Sequence, residues 1–130
     1  MTNTKDGVRF ERGPATSVAV RPTIDLPNPR NATATAYLRG RGISDKVIER
    51  HTIQGEYRFA RRTAPAVGFP YRGDEGVAAI KWRSADDTKA FSQQNVCEDF
   101  WGLDQYREGN DLLIVEGEID ALSWLSCDLP

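Results

Sequence analysis

The chain has 130 residues, of which 39% are hydrophobic and 28% are charged, as expected for one globular domain. No apolar run approaches the roughly 18 residues that span a membrane, and the polar N-terminal stretch lacks the apolar core of a signal peptide. Two cysteines and one histidine are too few for a disulfide framework or a zinc site. These features predict a cytoplasmic protein that binds no zinc.

The charge is unevenly distributed along the chain. Residues 111–130 contain five acidic residues and no Lys or Arg, which leaves 17 basic and 14 acidic groups, net +3, in the other 110 residues. A mildly basic body joined to an acidic end suits a site that holds a polyanion against metal ions. Ordinary surface charge is the alternative interpretation, and the net charge alone does not decide between them.

Residues 1–29 mix polar residues with prolines at positions 14, 22, 27 and 29. Proline interrupts helices and central strands, so this segment is predicted to be a flexible arm or linker.

A short helix pair is predicted next. Asn31 or Thr33 can cap a first helix, and Gly40-Arg-Gly42 ends it with a left-handed turn. Ser44 can cap a second helix over residues 45–51. A DNA-reading helix-turn-helix is one alternative, although both helices are short and no third follows them.

From Ile53 onward the sequence is typical of a small antiparallel sheet. Gly73-Asp-Glu-Gly76 predicts a hairpin turn, and Pro70 restricts its strand to an edge or a strand end. The predicted strands cover residues 57–60, 66–71, 77–83 and 89–91.

The third predicted strand carries a basic ridge. Alternation places Lys81 and Arg83 on one face and Ile80 and Trp82 on the other, and Lys89 follows across a short loop. Such a ridge with aromatic residues nearby suits single-stranded nucleic acid or nucleotide phosphates. A solvated sheet face is the alternative.

The last part of the chain predicts a strand-to-helix elbow. Residues 112–115 are consecutively apolar, as in a strand covered on both faces, and Gly117 permits a tight turn into a helix. Glu116, Glu118 and Asp120 then lie at the carboxyl end of that strand and in the first helical turn. This arrangement predicts an Mg²⁺ or general acid/base site, the alternative being a helix N-terminus decorated with acids.

The predicted fold class is therefore α+β. A helix pair and a small basic sheet occupy residues 30–110, and the first strand and helix of an α/β domain occupy residues 111–130.

Several motifs in chain order resemble the RNA-polymerase core of bacterial-type DNA primases. The last of them resembles the first motif of the toprim domain, in the form most similar to bacteriophage primase-helicases and their mitochondrial relative Twinkle. The resemblance covers about residues 34–127, through Tyr37-Leu-Arg-Gly-Arg-Gly-Ile-Ser44, Val47-Ile-Glu-Arg50, Val67-Gly-Phe-Pro-Tyr71, Ala78-Ala-Ile-Lys-Trp-Arg-Ser84, Phe100-Trp-Gly-Leu103 and Leu113-Ile-Val-Glu-Gly-Glu-Ile-Asp-Ala-Leu122.

The resemblance implies roles for the residues already singled out. Glu116 matches the toprim glutamate, a metal-site or general acid/base residue for phosphoryl transfer, and Asp120 supports it. Glu118 completes the candidate Mg²⁺ ligands. Lys81 and Arg83 correspond to basic residues of the core that contact template or nucleotide, and Lys89 is added to them as a further candidate for nucleic-acid or nucleotide binding. The implied partners are single-stranded DNA, NTPs and a replicative helicase domain or subunit.

The chain also departs from the family pattern. The second toprim motif, Asp-x-Asp, is expected only beyond residue 130, and neither the zinc ribbon nor the helicase P-loop pattern is present. The sequence is therefore interpreted as the N-terminal part of a primase with a truncated toprim domain. A non-catalytic nucleic-acid-binding or regulatory module, and another toprim protein of topoisomerase or nuclease type, are the alternatives.

We expect this chain to have no polymerase activity by itself, because in-line attack on an α-phosphate requires a complete Mg²⁺ site. The purified chain, given single-stranded template, NTPs and Mg²⁺, should produce no oligoribonucleotide in an assay where an active primase does. Measurable synthesis by the purified chain would contradict this expectation.

Overall fold

A computed structural model describes residues 30–97 and 99–127, so the predicted arm over residues 1–29 lies outside the described residues. Within them, the chain forms three α-helices and one four-stranded antiparallel sheet, which confirms the predicted α+β class. The elements are α1 (Ala32–Gly40), α2 (Asp45–His51), β1 (Ile53–Phe59), β2 (Arg62–Gly73), β3 (Gly76–Ser84), β4 (Phe91–Gln94), a 3-10 turn (Leu103–Gln105) and α3 (Glu118–Leu125).

The predicted helix pair begins at the predicted caps. The Asn31 side chain accepts a hydrogen bond from the Ala34 N–H at 3.0 Å, and the Ser44 hydroxyl accepts one from the Val47 N–H at 3.4 Å. Both bonds satisfy amide groups that the first helical turn leaves without a partner. The described helices have nine, seven and eight residues, and none of them suffices to cross a bilayer.

The turn between α1 and α2 depends on one glycine. Gly42 has φ +82°, a left-handed conformation that costs glycine little. Its N–H donates to the Arg39 carbonyl at 2.9 Å, and the Ile43 N–H donates to the Leu38 carbonyl at 3.1 Å. Ile43 and Leu38 are both buried in the same apolar cluster, and this packing stabilises the turn between the two helices.

The sheet has the strand order β1-β2-β3-β4, and each strand pairs antiparallel with the next. The predicted hairpin turn joins β2 to β3, and Gly73 pairs with Gly76. The strands extend further than predicted, and β4 begins at Phe91, after Lys89, instead of containing both residues.

Two prolines fit into β2 because each lies where only one neighbouring strand pairs. Pro65 pairs with Glu56 of β1, before the β2–β3 register begins at Ala66. Pro70 pairs with Ile80 of β3, beyond the last β1 contact at Gly68. The missing N–H therefore removes no bond from a strand paired on both sides.

The helices pack on one face of the sheet and form the larger core. This helix-side cluster joins all three helices to β2, which contributes Val67 and Phe69. Its buried residues are Ala34, Leu38, Ile43, Val47, Ile48, Val67, Phe69, Ala85 and Leu122. Because Leu122 belongs to α3, the predicted segment 111–130 shares a core with the helix pair.

The opposite face of the sheet has its own apolar cluster. Tyr57 stacks on Trp82 with ring centroids 4.6 Å apart and an interplanar angle of 16°, and Phe59 meets Tyr57 edge-on at 5.4 Å. The buried members are Ile53, Phe59, Ala64, Ala66, Val77, Ile80 and Trp82. As predicted, Ile80 and Trp82 thus lie on the face opposite Lys81 and Arg83.

The prediction of a buried strand over residues 112–115 is wrong. These residues adopt no regular structure, and Leu112, Leu113 and Ile114 are 57%, 58% and 66% exposed. A strand buried on both faces needs partners at its edges and layers above and below it, and none of the four described strands pairs with this segment. The helix that follows, α3, is present as predicted.

Gly117 is also less constrained than predicted. Its φ and ψ of −138° and 162° are extended backbone that any residue adopts. A Cβ added there would meet the nearest atom, Asp120 Oδ2, only at 3.8 Å, which is an ordinary contact. The turn into α3 therefore does not require glycine on steric grounds.

His51 provides a pH-dependent contribution to stability. It ends α2, is buried, and contacts Trp101 edge-on with centroids 6.3 Å apart. Burial, with smaller effects from Arg50 and Arg72, holds its pKa below the usual 6.5. The folded state therefore favours the neutral imidazole.

We expect the free energy of unfolding to fall as the pH is lowered below about 6.5, because the unfolded chain then binds a proton that the folded chain does not. The slope is at most about 1.4 kcal/mol per pH unit for one proton. Urea unfolding at a series of pH values between about 5 and 8 measures it. His51→Gln should flatten the profile, since His51 is the single histidine of the chain; an unchanged slope in that variant would contradict the assignment.

Candidate nucleic-acid interface

Three cationic side chains surround one exposed aromatic ring at the β3–β4 edge of the sheet. Lys81 Nζ, Lys89 Nζ and Arg83 Cζ lie 5.3, 5.4 and 5.8 Å from the centroid of the Phe91 ring. The Phe91 side chain is 51% exposed. We call these four residues the cation–aromatic patch.

Strand alternation and register bring the patch together. Lys81 and Arg83 are two residues apart on β3, so they project from the same face. In the β3–β4 register Arg83 is opposite Phe91. The predicted basic ridge therefore exists, and it includes Lys89 through the shared ring.

Lys81 and Arg83 project from the helix-covered face and not from an open sheet surface. Their partners on the neighbouring strand β2 are Phe69 and Val67, two residues of the helix-side cluster. The Arg83 guanidinium also stacks 4.5 Å from the centroid of the Tyr37 ring of α1 and donates to the Ser84 carbonyl at 2.8 Å. The patch thus lies at the border between the packed helices and solvent.

A hydrogen-bonded loop fixes Lys89 and Phe91 relative to β3. The fully buried Ser84 hydroxyl donates to the Thr88 carbonyl and accepts from the Ala90 N–H, both at 2.7 Å. Arg62 of β2 forms a two-pronged ion pair with Asp86 and donates to the Thr88 carbonyl at 2.6 Å. These bonds close residues 84–90 into a compact clasp.

The three acidic residues predicted as a cluster have different surroundings. Glu116 and Asp120 are exposed, before α3 and in its first turn. Glu118 instead points to the sheet, where one carboxylate oxygen accepts from the Tyr71 hydroxyl at 2.8 Å and the other lies 3.3 Å from Lys81 Nζ. Its side chain is 13% exposed.

The contact with Glu118 alters the chemistry of Tyr71. Burial, then the hydrogen bond to Glu118 and its negative charge, raise the pKa of the Tyr71 phenol far above its usual value. Tyr71 is therefore a neutral hydrogen-bond donor at physiological pH. It holds the Glu118 carboxylate from one side while Lys81 approaches from the other.

The predicted metal site of Glu116, Glu118 and Asp120 is not assembled in the part of the chain that the structure describes. No group of three or more His, Cys, Asp or Glu side chains there is arranged to hold a metal ion. Glu118 has its two oxygens occupied by Tyr71 and Lys81. The catalytic and metal-binding roles of these residues stay predictions.

A pocket with a volume of about 260 Å³ is lined in part by Glu118. Its wall combines the exposed apolar segment with the loop before the 3-10 turn. The lining residues are Tyr71, residues 99–103, residues 112–118 and Ala121. Glu118 therefore both lines this pocket and contacts Lys81 of the cation–aromatic patch.

Two residues of the site are absent from the prediction made from the sequence. Phe91 is predicted only as the end of a strand, although its spacing of two from Lys89 in that predicted strand indicates a shared face. Tyr71 contacts Glu118 across 47 positions of sequence, and nothing local signals such a contact.

No protein-family model matches the chain, and the curated proteins and the solved structures contain no match to it. The function of the patch is therefore inferred from its own geometry.

We expect Ser84→Ala to lower the free energy of unfolding by about 1–3 kcal/mol, because it removes two hydrogen bonds of a fully buried side chain, each contributing about 0.5–1.5 kcal/mol. Urea unfolding followed by tryptophan fluorescence measures the change. Ser92→Ala on β4, outside the clasp, is the matched control and should stay within about 0.5 kcal/mol of the wild type. Equal effects in the two variants would show that the clasp does not depend on the Ser84 hydroxyl.

Proposed function

We propose that this chain forms the primase-core region of a DNA primase or primase-helicase and that its cation–aromatic patch binds single-stranded DNA during replication. The observation that carries the proposal is the convergence of Lys81, Arg83 and Lys89 on the exposed ring of Phe91. The order of motifs along the sequence supports the choice of family.

The patch has the two components that single-stranded nucleic acid requires. Cationic side chains attract backbone phosphates and release their counterions, which makes binding depend on salt. An exposed aromatic ring offers a face on which a base stacks, at a gain of about 1–3 kcal/mol per base. Arg83 and the two lysines flank the ring closely enough for one short strand to contact all of them.

Single-stranded DNA fits this surface better than a duplex does. Stacking on Phe91 requires a base whose face is free, and in a duplex the bases stack on one another. The patch also lies at the end of a four-residue edge strand and presents no helix to a groove. The helix pair α1–α2 would contact DNA if the chain were a helix-turn-helix protein. It instead packs into the core through Leu38 and Ile48.

The assignment of the C-terminal segment to a toprim domain is part of the same proposal. α3, with Glu118 and Asp120 in its first turn, supports the helical half of that motif, whereas residues 112–115 form no strand. We propose that Glu116 and Asp120 act on NTPs with Mg²⁺ once further acidic ligands complete the site. Carboxylates hold Mg²⁺ in this way while water and phosphate fill the remaining positions.

We expect the chain to bind a labelled single-stranded oligonucleotide in a fluorescence anisotropy titration, with affinity that falls as salt rises. Phe91→Ala should weaken binding about 5- to 150-fold, because it removes one base–aromatic stack. Lys89→Ala should weaken it less and lower the salt slope by about 0.7, the value for one phosphate contact on a single strand.

Two substitutions elsewhere provide matched controls. Lys46→Ala removes the same side chain as Lys89→Ala but from α2, and Arg58→Ala removes an arginine from β1, the opposite edge strand. Both controls should bind nearly as the wild type does. Equal losses of affinity in the control and patch variants would mean that binding depends only on the net charge of the protein. Unchanged affinity in the patch variants would show that the patch is not the binding site.

A further inference from the structure

Lys81 makes two interactions through one ammonium group. Its Nζ lies over the Phe91 ring at 5.3 Å and also 3.3 Å from a Glu118 carboxylate oxygen. A phosphate bound at the patch and the Glu118 carboxylate are both anions. Each therefore competes with the other for the same cation.

We propose that Glu118 is an internal counter-ion that occupies Lys81 and lowers the affinity of the patch for the DNA backbone. The inference rests on the proposed function, because it concerns the strength of the same site. Glu118 thus regulates phosphate binding by Lys81, which is a different role from ligating a metal ion.

The carboxylate is held more firmly than the ammonium. Glu118 is the first residue of α3, where the helix dipole favours a negative charge, and the Tyr71 hydroxyl donates to it at 2.8 Å. Leu122, one turn later, is fully buried in the helix-side cluster. Lys81 has a flexible four-carbon stem and a 35% exposed side chain, so it is the partner that can turn toward an arriving phosphate.

The test is a thermodynamic cycle of binding to a single-stranded oligonucleotide, measured by anisotropy over a range of salt concentrations with a metal chelator present. Glu118→Gln keeps the shape of the side chain and removes its charge. It should raise affinity about two- to five-fold, the range that partly exposed ion pairs produce. It should also steepen the salt slope by up to about 0.7, because Lys81 becomes fully available to one phosphate.

Two comparisons assign this effect to the contact. Glu118→Gln in a Lys81→Ala background should leave affinity unchanged, because the cation that the carboxylate occupies is gone. Glu75→Gln, the same substitution in the exposed β2–β3 turn, should change affinity by much less. A gain that persists without Lys81, or an equal gain from Glu75→Gln, would overturn the proposal and indicate general charge repulsion.

The remaining outcomes separate this proposal from the proposed function. Binding by the wild type with no gain in Glu118→Gln overturns the counter-ion role alone, whereas no binding by either protein overturns both. Glu118→Asp is the second variant in case Glu118→Gln does not fold. It keeps an acid in the first turn of α3 but shortens the side chain by one methylene, which draws the carboxylate away from Lys81. It should raise affinity by a smaller factor, again only when Lys81 is present, and no gain in a folded Glu118→Asp protein, established by circular dichroism, would count against the proposal.

Discussion

The alternation of side chains along β3 is the constraint on which the rest of the structure depends. Ile80 and Trp82 enter the apolar cluster on one face, and Lys81 and Arg83 project from the other. A register slip of one residue would exchange the two faces, burying two cations in the apolar cluster and moving an isoleucine and a tryptophan to the partly exposed border of the helix-covered face. The burial of apolar area therefore fixes the position of the cations as firmly as it fixes the core.

One close backbone approach holds that register from the β2 side. A Cβ added to Gly68 would lie 2.6 Å from Ile53 Cγ1 and 3.0 Å from Ile80 Cγ2, so only glycine lets these two side chains pack over the strand. Gly68 pairs with Ile53 on β1 and with Trp82 on β3. It therefore joins three strands at the position between Phe69 and Val67, the β2 residues that pair with Lys81 and Arg83.

Features with local causes were predictable from the sequence. The caps at Asn31 and Ser44, the left-handed Gly42 and the alternation of β3 each depend on a few neighbouring residues, and each is present. The strand over residues 112–115 failed because an apolar run reports a tendency to be buried but does not supply the partner strands. The Tyr71–Glu118 contact also escaped prediction, because it depends on how α3 packs against the sheet.

The same packing explains why the acidic residues do not form one cluster. In a helix, residues four apart lie on one face, so the face that carries Leu122 into the core also carries Glu118 toward Lys81 and Tyr71. Asp120, two residues after Glu118, projects from a different side of α3 and is exposed. The helix is held at its other end by a hydrogen bond at 3.0 Å from the Ser44 N–H to the Ser126 hydroxyl. Because α3 is anchored through Leu122 and Ser126, the position of Glu118 beside the cation–aromatic patch is a consequence of the core, and rotation of the helix to gather the acids would expose Leu122.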